Sequence, residues 1–185
     1  MTGVARHWSW CSWAVALFCT TWLIGVCSVP AAAQERIKSA RYEDPTTRYA
    51  HGVLGDAIEH GTLAITLSSG AVRRFTLSEN SVFEDTAPRL ADVTGDGFAE
   101  VIVVESEQSS GARLALYGAT GRIAATPFIG TRFRWLAPLG AADLDGDGRI
   151  ELAYVDRPHL AKILRIWRFD EGDLVPVADL MGLTN

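Results

Sequence analysis

The chain has 185 residues, with 17 lysines and arginines against 22 aspartates and glutamates, a formal net charge of −5. That balance offers no general attraction to phosphate backbones or anionic membranes, which argues against nucleic acid as a partner. The length suffices to bury a sizeable core. All three cysteines, Cys11, Cys19 and Cys27, fall within the first 33 residues, so the remainder has neither a disulfide nor a thiolate metal site.

Residues 1–33 form the first segment. Arg6 is their only acidic or basic residue at neutral pH, an apolar run rich in Trp and Cys extends from Trp8 to Val29, and Ala31, Ala32 and Ala33 follow. This is the pattern of a secretory signal peptide cleaved before Gln34, which places the mature chain in the periplasm or outside the cell, with no membrane span left. The competing reading is an uncleaved anchor, because the run approaches the roughly 18 to 20 residues that cross a bilayer. Val26 disfavours a third reading, lipid attachment at Cys27.

Residues 34–48 read as an N-terminal linker and residues 49–185 as the folded domain, which carries an internal repeat. Leu63, Ile65 and Gly70 recur 51 residues later as Leu114, Leu116 and Gly121, and again as Leu164, Ile166 and Gly172. The copies cover about 49–90, 91–140 and 141–185. Short apolar runs, VIVVE at Val101 to Glu105 and LAYVD at Leu152 to Asp156, suit strands buried on both faces. LAITL at Leu63 to Leu67 and RLALY at Arg113 to Tyr117 alternate. Turn residues follow at Ser68 to Gly70, Gly118 to Gly121 and Asp170 to Asp173. No helix is predicted after the leader.

Four short strands per unit of about 50 residues is the size of a propeller blade. The expected fold is therefore all-β, with about three antiparallel propeller-like blades of roughly 51 residues. Three blades are too few to close a ring, so the sequence predicts an incomplete or open propeller. Bare edge strands invite pairing with another chain. A homo-oligomer, an open sandwich-like stack and a truncated copy of a longer protein stand as alternatives.

The most specific signal is a pair of acidic loops 51 residues apart, DVTGDGFAE from Asp92 to Glu100 and DLDGDGRIE from Asp143 to Glu151. Calcium takes six to eight oxygens at about 2.3 to 2.6 Å, so a loop that binds it must crowd carboxylates and turn sharply between them. In the second loop Asp143, Asp145 and Asp147 fill positions 1, 3 and 5, Gly148 makes the turn, the Arg149 carbonyl falls at position 7 and Glu151 closes at position 9. The first loop has Asp92, Asp96 and Glu100 around Gly97, and Thr94 offers only a hydroxyl at position 3, which predicts weaker binding there. Solvated acidic turns are the bland alternative. An EF-hand is disfavoured because its position 12 glutamate is Val103 in one loop and Tyr154 in the other.

The pattern D-x-[DT]-G-D-G-x-x-E followed by an apolar strand resembles the FG-GAP and VCBS repeat families, secreted proteins whose calcium loops sit in propeller-like blades. The resemblance covers Asp92 to Glu105 and Asp143 to Asp156. It implies Ca2+ as the cofactor, with side-chain oxygens from Asp92, Thr94, Asp96 and Glu100 and from Asp143, Asp145, Asp147 and Glu151. It also implies main-chain oxygens from Phe98 and Arg149.

No P-loop, nucleophile elbow or zinc-binding histidine pair occurs after the leader. His51, His60 and His159 are isolated and read as surface or loop histidines. Arg132 and Arg134 flank Phe133 and Trp135 in an expected strand, and Trp135 and Trp167 are expected to be buried between blades. The functional expectation is an exported, calcium-binding module of adhesion type in the cell envelope, with an unidentified protein or glycan partner. The alternative is a polysaccharide hydrolase or lyase on the same scaffold.

Overall fold

A computed structural model describes residues 35–183. The chain divides into two units, Met1–Ala33 and Gln34–Asn185, and the fold concerns the second. The expected signal segment with its three cysteines lies outside the described residues.

Among the described residues there is no helix, and twelve antiparallel strands make two sheets, neither of them closed. The first contains β1 (Ile37–Thr46), β2 (Glu59–Leu67), β3 (Val72–Thr76), β4 (Ser81–Phe83), β5 (Arg89–Ala91), β6 (Glu100–Glu107), β7 (Gly111–Gly118) and β8 (Gly121–Ala125). The second is a four-stranded meander of β9 (Leu136–Ala142), β10 (Glu151–Asp156), β11 (Ile163–Asp170) and β12 (Asp173–Met181). The repeated glycines Gly70, Gly121 and Gly172 mark the hairpins β2–β3, β7–β8 and β11–β12. The 51-residue period is thus a period of strands.

β6 is the centre of the fold because its sequence is apolar at every position from Val101 to Val104. Val101 and Val103 pack with Leu63, Ile65 and Leu67 of β2, while Ile102 and Val104 pack with Leu136, Leu152, Tyr154 and Trp167 of the second sheet. β7 divides in the same way: Ala115 and Tyr117 face β2, and Leu114 and Leu116 face the second sheet. Fully burying one such side chain stabilises by about 1.5 to 3 kcal/mol, and the β6–β7 hairpin contributes such side chains to two apolar clusters, one on each of its faces.

Four expectations need correction. Where the sequence predicts a linker over 34–48, the structure has β1, paired along its length with β2. β1 reads as polar because it is an edge strand with most of its side chains partly or fully exposed. LAITL has no solvent face: Leu63, Ala64, Ile65 and Leu67 are all fully buried. The segment holding Arg132, Phe133, Arg134 and Trp135 is a loop rather than a strand, and Phe133 has a left-handed φ of 53°. The three expected blades also do not separate as drawn, because β4 pairs with both β2 and β6 and makes their strands one continuous sheet.

Candidate metal centre

Each acidic loop links two antiparallel neighbours, β5 to β6 and β9 to β10. The residues at its two ends are register partners, Ala91 with Glu100 and Ala142 with Glu151. A loop closed in this way must fold back on itself, and its aspartates supply the bonds that let it do so. Asp92 accepts the N–H of Gly95 on Oδ1 at 2.8 Å and of Gly97 on Oδ2 at 2.9 Å. Asp143 does the same for Gly146 at 2.7 Å and Gly148 at 3.0 Å.

The likeness continues around both turns. Asp96 and Asp147 each accept the N–H two residues on, from Phe98 and Arg149, at 2.8 Å. Glu100 accepts from Val93 at 2.8 Å, and Glu151 from Leu144 at 2.8 Å. Gly97 and Gly148 have φ of 85° and 86°, a conformation that a side chain disfavours, which explains the glycine at the sharpest point.

The loops differ in charge balance. In the second, Arg168 of β11 reaches over the loop: its guanidinium lies 3.0 Å from Asp145 Oδ2, 3.0 Å from Asp147 Oδ2 and 2.5 Å from Glu151 Oε1. Desolvation pushes the Asp145 carboxyl up, yet the Asp147 N–H and the Arg168 guanidinium outweigh it and hold the group below its ordinary value. Glu100 in the first loop shifts the other way. Burial raises it, Asp96 and Asp92 raise it further, and the N–H groups of Val93 and Thr94 offset only part of this.

Of the ten expected ligands, the structure draws three into one cage. One oxygen from each of Asp143, Asp145 and Glu151 lies within 4.8 Å of the others. Oxygens on opposite sides of a calcium ion stand about 5 Å apart, so this spacing and an all-oxygen donor set fit the ion. Asp147 is turned to Arg168, and the Arg149 side chain goes to Asp170 at 2.8 Å, which leaves its carbonyl as the only expected ligand from that residue. Among the described residues the first loop forms no such cage; its position 3 is Thr94, whose Oγ1 lies 3.4 Å from Glu100 Oε1.

Residues 92–154 match the family model of the FG-GAP-like repeat. Over this segment the chain is similar to FG-GAP-like repeats. The segment opens at the first aspartate of one loop and closes in β10, just beyond the second. No curated protein and no solved structure matches the chain.

Sequence reasoning missed the basic partner of the repeat's second loop. Arg168 stands directly opposite Glu151 in the β10–β11 register. The β6–β7 register, continued one step beyond Val101 and Tyr117, puts Gly118 rather than an arginine opposite Glu100. A second repeated feature also escaped notice. The strands VIVVE and LAYVD each end in a buried acid, Glu105 and Asp156. Glu105 is held by Arg113 and Arg122, and Asp156 by Arg157 and Arg165.

Proposed function

We propose that this chain is an exported, calcium-binding repeat module that recognises a protein or glycan partner at the cell envelope. The observation that carries the metal assignment is the cage of Asp143, Asp145 and Glu151, built where two paired strands meet. Asp143, Asp145, Glu151 and the Arg149 carbonyl would hold the ion. The FG-GAP-like repeat supports the same reading for the first loop, through Asp92, Thr94, Asp96, Glu100 and the Phe98 carbonyl. Bound there, calcium supplies charge neutralisation and cross-links the end of β9 to the start of β10. Its role is structural: it fixes the meander that presents the outer faces to a partner.

The ion and Arg168 compete for oxygens of Asp145 and Glu151, so binding at the second loop includes moving a guanidinium aside. Calcium titrated into the chain should raise the melting temperature, with magnesium producing a smaller shift at equal concentration. At ten times Kd the gain is about 1.4 kcal/mol. Asp145→Ala should remove the second-loop share of that gain. A melting curve that is the same in calcium and in chelator would leave the loops as ordinary turns.

A further inference from the structure

A cavity of about 350 Å³ lies away from both acidic loops, among the loops β1–β2, β8–β9 and β10–β11. Its walls include His51, Phe133, Arg134, Trp135, Arg157 and Leu160. The volume falls within the range of small-molecule sites.

Two wall residues are held in backbone conformations that bulky side chains avoid, Phe133 at φ 53° and Arg157 at φ 45°. Bonds from three directions keep them there. The Phe133 N–H donates to the buried Tyr49 hydroxyl at 3.1 Å, the Trp135 indole to the Glu84 carbonyl at 3.0 Å, and the Arg157 N–H to the Trp135 carbonyl at 3.1 Å. Behind the wall, the Thr131 carbonyl oxygen stands 2.3 Å from where a Cβ on Gly111 would lie, so the loop is pressed onto β7. The cavity is preformed.

Its chemistry is polarised. The His51 ring is oriented by Nδ1, 2.6 Å from a carboxylate oxygen of fully buried Glu84, whose other oxygen accepts the Ser106 hydroxyl. Nε2 has no hydrogen-bond partner among the described residues. Arg134 spends one N–H on the Phe133 carbonyl at 2.8 Å and has no carboxylate partner among the described residues. Arg157, by contrast, is neutralised by Asp156. In a chain of net negative charge, an unneutralised guanidinium on an apolar wall marks a place for an anion.

The apolar side selects a flat group. Phe133 cannot be the platform, because His51 stacks on its ring at 5.2 Å and Arg132 lies 4.3 Å from its centroid. Trp135 remains: it packs against the main core, lines the cavity and is fixed by its indole bond. Leu160, 65% exposed, completes the apolar rim.

We infer that this cavity binds a small aromatic carboxylate, its ring against Trp135 and Leu160 and its carboxylate between Arg134 and His51 Nε2. None of the acidic-loop residues lines it, so binding should persist in chelator, whatever becomes of the calcium assignment.

The test is titration of the purified chain in chelator with benzoate, phenylacetate and indole-3-acetate, followed by tryptophan fluorescence and calorimetry. Benzyl alcohol, cyclohexanecarboxylate and glucuronate serve as neutral, non-planar and sugar-acid comparisons. At least one aromatic acid should bind tenfold or more tightly than all three comparisons. Arg134→Gln should weaken it at least tenfold, with Arg134→Lys recovering part of the loss. Leu160→Glu, at an exposed position, should abolish binding without lowering the melting temperature. No binding by any aromatic acid, equal binding by Arg134→Gln or Leu160→Glu, or preference for glucuronate would each overturn the assignment.

Discussion

Arg168 decides how the second acidic loop behaves. A single guanidinium takes contacts from Asp145, Asp147 and Glu151, and Glu151 is almost fully buried, so the arginine ties the loop to β11 and, under the proposed calcium assignment, would compete with the ion. Arg168→Gln separates these roles. Without calcium the variant should be less stable than the parent, because the buried Glu151 carboxylate loses its charged partner. With calcium it should bind more tightly at the second loop, by roughly tenfold or about 1.4 kcal/mol, since no cation must be displaced. Calorimetric titration at fixed ionic strength, together with urea unfolding in chelator, reads both. An unchanged affinity would mean that ion and guanidinium do not share oxygens. The alternating acids and the turn glycine were legible in the sequence because the whole loop is local. Arg168 was not, because only the strand register brings it to Glu151.

Among the elements, the β6–β7 hairpin shows what apolar patterning can and cannot reveal. Continuous apolar character in VIVVE announces burial on both faces, and the strand has it. RLALY alternates only in part, yet Leu114 to Tyr117 are all buried, because β7 lies beside β6 between the same two layers. Nothing local signals that sandwiching. Gly111, at the start of β7, is another such case: it has φ 74°, and a Cβ there would meet the Thr131 oxygen at 2.3 Å and the Arg134 oxygen at 2.9 Å. Both contacts are backbone, so neither can rotate away. Gly111→Ala should therefore destabilise by about 2 to 4 kcal/mol, combining left-handed strain with overpacking. Denaturant unfolding measures this, and a loss below about 1 kcal/mol would show that the β8–β9 loop yields easily. The Phe133 to Trp135 loop depends on that close approach, so the variant should also blunt any fluorescence response to aromatic acids.

At the scale of the whole molecule, buried acids set the pH at which the fold is most stable. Glu59 is 1% exposed and its Oε1 has no hydrogen-bond partner. Burial pushes its carboxyl up to about 8, with Glu84, Asp56 and Asp85 adding to the shift. Burial likewise raises Glu84 and Asp85, although His51 and Ser106 offset the first and Arg89 the second. A carboxyl raised on folding binds more protons in the native than in the unfolded chain between the two pKa values. For Glu59, stability therefore increases as pH falls from about 8 toward the unfolded value of about 4.3. Asp156 works in the opposite sense. Burial raises it, but Arg157 and Arg165 hold it below its ordinary value, so its contribution is present above about pH 4 and disappears as pH falls through its folded value. The two signs together place the optimum between about pH 4 and 5.5, on the acid side of neutrality. Melting temperatures recorded in chelator from pH 3 to 9 should trace that maximum. Glu59→Gln keeps the shape and removes the ionisation, so it should raise stability at pH 8 by roughly 2 to 4 kcal/mol and flatten the alkaline limb. At pH 4.5 the same substitution should change little, because the native carboxyl is already protonated there. A variant that stabilises equally at both pH values would act through packing, and Glu59 would then not be the group that shapes the curve.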